Sequence, residues 1–152
     1  MSLKLPAVDP STLTPRTTSG YPEPFRSRVL PREKLPLAAA LKLTKLGINL
    51  TTLPPGKQSS MRHHHSHEEE FVFVVEGEVT LITNEGEQTL TAGTCAGFPA
   101  GTGNGHQLVN RSNAPARYLE VSTHDANDAV EYSDVDLAYA NGVYSHKDGT
   151  PY

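Results

Sequence analysis

With 152 residues, 36% of them hydrophobic, the chain is one domain by length and can bury a core without staples. A single cysteine, Cys95, rules out an internal disulfide framework and agrees with a reducing compartment. The net charge of −4 is uneven: residues 1–45 carry eight basic and three acidic side chains, and the remainder five basic and fourteen acidic. That balance argues against a nucleic-acid surface and weakens the case for heavily phosphorylated ligands.

No apolar run approaches the roughly 20 residues of a membrane span, and the opening residues MSLKLPAVDP lack the apolar stretch of a secretory signal. A cytoplasmic address is therefore expected, with no membrane partner. Nine of the twelve prolines fall within residues 1–55. Proline fixes φ and removes a backbone donor, so residues 1–45 are expected to wrap the domain as an extended arm. Disorder competes with order over the first twenty residues, and residues 37–45 have the propensity for a short helix.

From Leu46 the period changes to two. Residues 46–53, 71–75, 78–83, 87–91, 106–110 and 116–122 read as short strands. Turn signals separate them at Pro54-Pro55-Gly56, Glu76-Gly77, Asn84-Glu85-Gly86, Ala92-Gly93 and Asn113-Ala114-Pro115. Short strands at this spacing, with no long helix between them, predict an all-β antiparallel sandwich or closed barrel over residues 46–123. Residues 124–152 are polar with scattered tyrosines, and read as a tail or a short helix packed on the barrel.

Four of the seven histidines lie within five positions, in Arg62-His63-His64-His65-Ser66-His67. An expression tag is excluded because the cluster is internal, interrupted and leads into a strand. On a strand His63, His65 and His67 point one way and His64 the other. Two imidazoles on one face form a metal clamp, and Glu70 adds an oxygen donor. The remaining histidines, His124 and His146, lie in the tail region, which leaves His106, at the start of a predicted strand, as the best distant ligand. Imidazoles with one carboxylate suit a divalent transition metal (Fe, Mn, Ni, Zn, Co or Cu) rather than Mg or Ca. Solvated histidines on a barrel rim are the plain alternative.

These residues resemble the two motifs of the cupins. His63-x-His65-x4-Glu70-x6-Gly77 fits the first, with Gly56 one residue further upstream than the pattern has it. Gly93-x5-Pro99-x-Gly101 and His106-x3-Asn110 fit the second, with Thr102-Gly103-Asn104-Gly105 standing where two residues are usual. The resemblance covers roughly residues 46–122 and implies a jelly roll holding a metal at His63, His65, Glu70 and His106. Similar small bacterial cupins are often labelled sugar-phosphate isomerases, a label that specifies no mechanism. The alternative register, His65 with His67 and Glu70, also makes a clamp; the motif spacing favours the first and leaves His67 at the mouth.

For the other residues the sequence offers paired readings. Phe71, Phe73, Val75, Val79 and Leu81 read as barrel packing, and Phe98 as a pocket floor or core closure. Tyr118 shares a face with Glu120, directed either into the cavity or outward. Cys95 reads as a small buried residue ahead of a soft ligand or a redox-sensitive thiol. Arg62, Arg111 and Arg117 are surface arginines unless two converge on an anionic substrate. The expected function is a metal-dependent enzyme on a small polar metabolite, of isomerase or oxygenase type, with His67 and Tyr118 as catalytic candidates. The other reading is a non-catalytic binding or sensing module. A homodimer is the expected assembly.

Overall fold

Alternation of side chains along extended segments builds nearly all of the regular structure. The computed structural model describes residues 3–152. In chain order its strands are β1 (Glu33–Pro36), β2 (Leu46–Leu53), β3 (His63–His65), β4 (Glu70–Glu76), β5 (Glu78–Thr83), β6 (Gly86–Thr91), β7 (Cys95–Phe98), β8 (Gln107–Val109), β9 (Ala116–Thr123), β10 (Ala129–Tyr132), β11 (Ala138–Ala140) and β12 (Val143–Ser145). Two single-turn helices, α1 (Arg26–Val29) and α2 (Leu37–Ala40), lie in the N-terminal segment. The helix expected over residues 37–45 thus closes after one turn.

One layer has the strand order β1-β2-β9-β4-β7. The other consists of two sheets, β12-β11-β10-β3 and β6-β5-β8. They are joined where His63 and His106 exchange backbone hydrogen bonds of 3.1 and 2.8 Å. The ladders between the strands are antiparallel, and the architecture is a jelly roll. Gly77 makes the β4–β5 turn at φ +74°, where a Cβ would lie 3.0 Å from the Pro115 carbonyl oxygen; both facts require glycine there.

Between the layers Leu53, Val72, Val74 and Tyr118 meet Val79, Leu81 and Leu108 in the main core. A second core forms outside it. Tyr21, Phe25 and Val29 of the N-terminal segment pack there against Met61, Val130, Tyr132 and Leu137. The N-terminal segment is tied down further by β1, which pairs with the edge of β2, and by a two-bond bridge between Arg16 and Lys34. The disorder considered for the first twenty residues falls partly on Met1 and Ser2, outside the described residues.

Three sequence readings are corrected. Residues 124–152, expected as a tail or short helix, instead supply β10, β11 and β12. Their alternation is short but real, since Val130 and Tyr132 are buried while Glu131 between them is exposed. Phe71, Phe73 and Val75 do not pack inside the barrel: Val72 and Val74 take the inner face of β4, and their neighbours are exposed. An unbroken apolar run such as FVFVV carries no polarity contrast to say which face turns inward. Cys95 is exposed rather than buried, because it sits on that same outer face opposite Phe73.

Candidate metal centre

His63 and His65 alternate along β3, so both face the barrel interior, while His64 turns outward with its Nε2 3.4 Å from Glu131. β3 is clamped by β10 on one side and by the His63–His106 bridge on the other, which brings the His106 ring alongside. Glu70, the first residue of β4, projects from the opposite layer. Three imidazoles from one layer therefore meet one carboxylate from the other.

The convergence is on a single atom. Glu70 Oε2 lies 2.7 Å from His106 Nε2, 3.3 Å from His65 Nε2 and 3.4 Å from His63 Nε2. Burial alone would raise the Glu70 carboxyl, but the imidazoles around it hold it well below the usual carboxylate range. His106 is pushed down, chiefly by burial and by the neighbouring His63 and His65, against the pull of Glu70. Phe98 stacks on the His106 ring at a centroid distance of 3.7 Å and an interplanar angle of 4°, fixing its plane by packing.

The donor set fits a divalent transition metal. His63 Nδ1 lies 2.9 Å from the Met61 carbonyl oxygen, which only accepts, so Nδ1 carries the proton and donates. His65 Nδ1 likewise donates to Asp128 Oδ2 at 2.7 Å. In their neutral forms both rings then aim an Nε2 lone pair at a carboxylate oxygen. Acceptors facing acceptors are satisfied by a shared cation, and imidazole with carboxylate is the ligand chemistry of first-row transition metals. Without a metal a proton takes that place: burial opposes charge on His65, but Glu70 and Asp128 outweigh it and push the ring up to about 9.

Asp128 was not foreseen. Its Oδ1 accepts the backbone N–H groups of His67 and Glu68 at 2.9 and 3.0 Å, leaving Oδ2 for His65. Burial opposes its charge, yet His65 and these backbone donors hold its carboxyl below the ordinary value. Glu68 and Asp128 also form a group with His65, but with His65 Nδ1 spent on Asp128 that group orients the ring. No spacing signal marked Asp128 within a polar stretch.

Around the cluster lies a cavity of about 460 Å³, within the range of small-molecule sites. Tyr118 and Glu120 both line it, settling the face they share. Glu120 Oε1 accepts from Lys34 Nζ and, at 2.9 Å, from Asn49 Nδ2. The Tyr118 hydroxyl is fully buried with no hydrogen-bond partner among the described residues. Burial pushes it well above its ordinary value, so it is a neutral hydroxyl. His67 is exposed beside Ser66 and does not line the cavity. His63 and His65 are thus the pair that faces the cavity, and His67 is not.

The arginines singled out from sequence all turn away. Arg62 pairs with Asp134 at 2.6 Å, Arg111 with Glu87 at 2.5 Å and Arg117 with Glu76 at 3.8 Å. The cavity takes its cations from the N-terminal segment instead: Arg16, Arg32 and Lys34. Residues Thr102 to Gly105, the longer motif loop, latch onto the β5–β6 turn. Asn84 N donates to Asn104 Oδ1 at 3.0 Å and Asn84 Nδ2 to the Gly103 carbonyl at 3.1 Å. The extra length is thereby taken up at the surface while His106 keeps its bridge.

Comparison with known proteins agrees with this fold. The family model described as a Cupin domain matches residues 49–122. No curated protein matches the chain. The crystal structure of a sugar phosphate isomerase of the cupin superfamily from Silicibacter pomeroyi superposes with a TM-score of 0.91 at 40% identity, covering 97% of this chain and 96% of that one. A protein from Acidithiobacillus ferrooxidans gives 0.69 at 29% identity over 75% of this chain and 74% of its own. One from Thermus thermophilus gives 0.55 at 28% identity, over 81% and 97%. With fold, motif residues and a near full-length likeness in accord, the chain belongs to the cupin superfamily.

Proposed function

We propose that the chain is a metal-dependent enzyme of isomerase type acting on a small polar metabolite. The observation that carries this reading is the meeting of three imidazole Nε2 atoms and one carboxylate oxygen inside a cavity with room for such a molecule. A divalent transition metal held by His63, His65, His106 and Glu70 supplies Lewis-acid polarisation of a substrate carbonyl or hydroxyl oxygen. The name of the Silicibacter pomeroyi relative, sugar phosphate isomerase, favours isomerisation over oxygen chemistry.

The chain's own residues supply the remaining parts. Isomerisation needs a base in the cavity, and the free Glu120 Oε2 is the best placed, its partner Oε1 being held by Lys34 and Asn49. Tyr118, a neutral hydroxyl fully buried in the cavity wall, shapes that wall. His67 takes no part, since it is outside the cavity. A non-catalytic binding module is the second reading, favoured by the engagement of Glu120 with two donors. The exposed Cys95 thiol suits a reducing cytoplasm, and the apolar outer face of the five-stranded sheet suits a homodimer.

Elemental analysis of untagged protein, beside a His63→Ala/His65→Ala variant and Glu70→Gln, tests the reading. We expect about one transition metal per chain, lost in the double variant with the fold retained, and turnover of an aldose or ketose panel abolished by Glu70→Gln. Protein that takes up no Fe(II), Mn(II), Ni(II) or Zn(II) would sink it.

A further inference from the structure

Arg32 is 8% exposed, and its Nε and Nη1 are buried without a hydrogen-bond partner. It makes no ion pair among the described residues. A guanidinium is always charged and offers five donors, so burying one unpaired is costly and calls for an anion. The nearby carboxylate does not serve: Glu120 pairs with Lys34 and lies beyond ion-pair distance of Arg32. Arg32 lines the same cavity as the metal cluster.

The arm's backbone explains the placement. Lys34 lies in β1 and Arg32 two residues before it, so both side chains fall on one face of the extended chain. Arg16, bridged backbone to backbone with Lys34, stands directly opposite on that face. All three line the cavity, and Arg16, like Arg32, has no carboxylate partner among the described residues. Net charge is a poor guide here. The molecule is acidic, yet this wall carries two unpaired cations, and the local field decides what enters.

We propose that Arg32, with Arg16, forms an oxyanion subsite, so that the substrate is an anionic metabolite holding a phosphate or carboxylate group against the N-terminal arm and a carbonyl or hydroxyl oxygen toward the histidine cluster. This rests on the reading of the cavity as the substrate site and adds the substrate class. Arg32 acts on substrate directly; the arm is part of the binding site rather than a wrapping.

The test is thermal unfolding of the full chain in inorganic phosphate or acetate against sodium chloride at equal ionic strength, with phosphate affinity by calorimetry. Phosphate, acetate or both should raise the melting temperature of the wild type. The effect should be lost in Arg32→Met, partly kept in Arg32→Lys and reduced in Arg16→Gln, an exposed position that leaves the fold alone. Losing the charge-assisted bonds of one arginine should weaken binding about tenfold or more. In chloride alone Arg32→Met should melt higher than the wild type, because it removes an unpaired buried charge. A larger shift with phosphate identifies a phosphoryl group, and a shift with acetate alone a carboxylate.

The His63→Ala/His65→Ala variant separates the two readings. Stabilisation kept there but lost in Arg32→Met supports the subsite whatever the metal content proves to be. Stabilisation lost in the histidine variant but kept in Arg32→Met would place the anion on the metal and overturn the subsite, leaving the metal reading intact. No stabilisation of the wild type beyond chloride would overturn the subsite as well.

Discussion

Asp128 illustrates how one carboxylate outside the ligand set governs it. Two backbone N–H groups fix Oδ1, so Oδ2 meets His65 Nδ1 at 2.7 Å with little freedom. That bond sets the tautomer and aims Nε2 at the centre. Asp128→Ala should therefore lower metal affinity by about 10–100-fold with the fold unchanged, measured by competition with a chelator and by circular dichroism. Affinity within twofold of wild type would remove Asp128 from the site. Glu70 and the three histidines were legible because the spacing of a family motif ties each to a strand position. Asp128 and Arg32 were not, because their roles depend on tertiary neighbours, as that of Asp128 does on His65, 63 positions away. Arg32-x-Lys34 carries the period of a strand face, but within a proline-rich stretch that alternation reads as scattered surface charge.

At the scale of elements, the strands with clear alternation and turn signals, β2, β5 and β9, coincide with the expected segments to within a residue or so. Those that were missed, β1, β7 and β10 to β12, are edge or peripheral strands of three or four residues. Such short strands gain their stability from what packs on them rather than from their own pattern. β10 shows why this matters for function, since it pairs with β3 through Tyr132 and His63 and is backed by Leu137 in the second core. Leu137 is fully buried. Leu137→Ala should cost about 2–5 kcal/mol, read as a lower urea midpoint. The core it weakens contains Tyr21 and Tyr132, so tyrosine fluorescence reports it while far-ultraviolet circular dichroism reports the barrel. Coincident transitions by both probes are expected, because β3 belongs to both regions. Separate transitions would show that arm and terminal strands unfold apart from the barrel.

For the whole molecule, the outer face of the five-stranded sheet is the feature that a single copy leaves unexplained. Phe71, Phe73 and Val75 are 38–48% exposed in one row along β4. Phe71 stands opposite Val121 and Phe73 opposite Leu119 on β9, and these in turn face Ile48 and Leu50 on β2. A contiguous apolar surface of this kind on a sheet face marks an interaction site. It is free of charged side chains along this central strip, so a two-fold copy of itself is a chemically matched cover. The homodimer proposed above uses this face, and Cys95, opposite Phe73 on β7, lies within it. Phe73→Glu would bury a carboxylate in that contact without touching the main core, so light scattering after gel filtration should change from a dimer mass to a monomer mass. Cys95 should at the same time react faster with a thiol reagent, because the contact no longer shields it. A wild-type monomer with a freely reactive Cys95 would leave the face solvent-exposed in solution and refute the pairing. It would leave the metal-centre prediction standing, since that rests on His63, His65, His106 and Glu70.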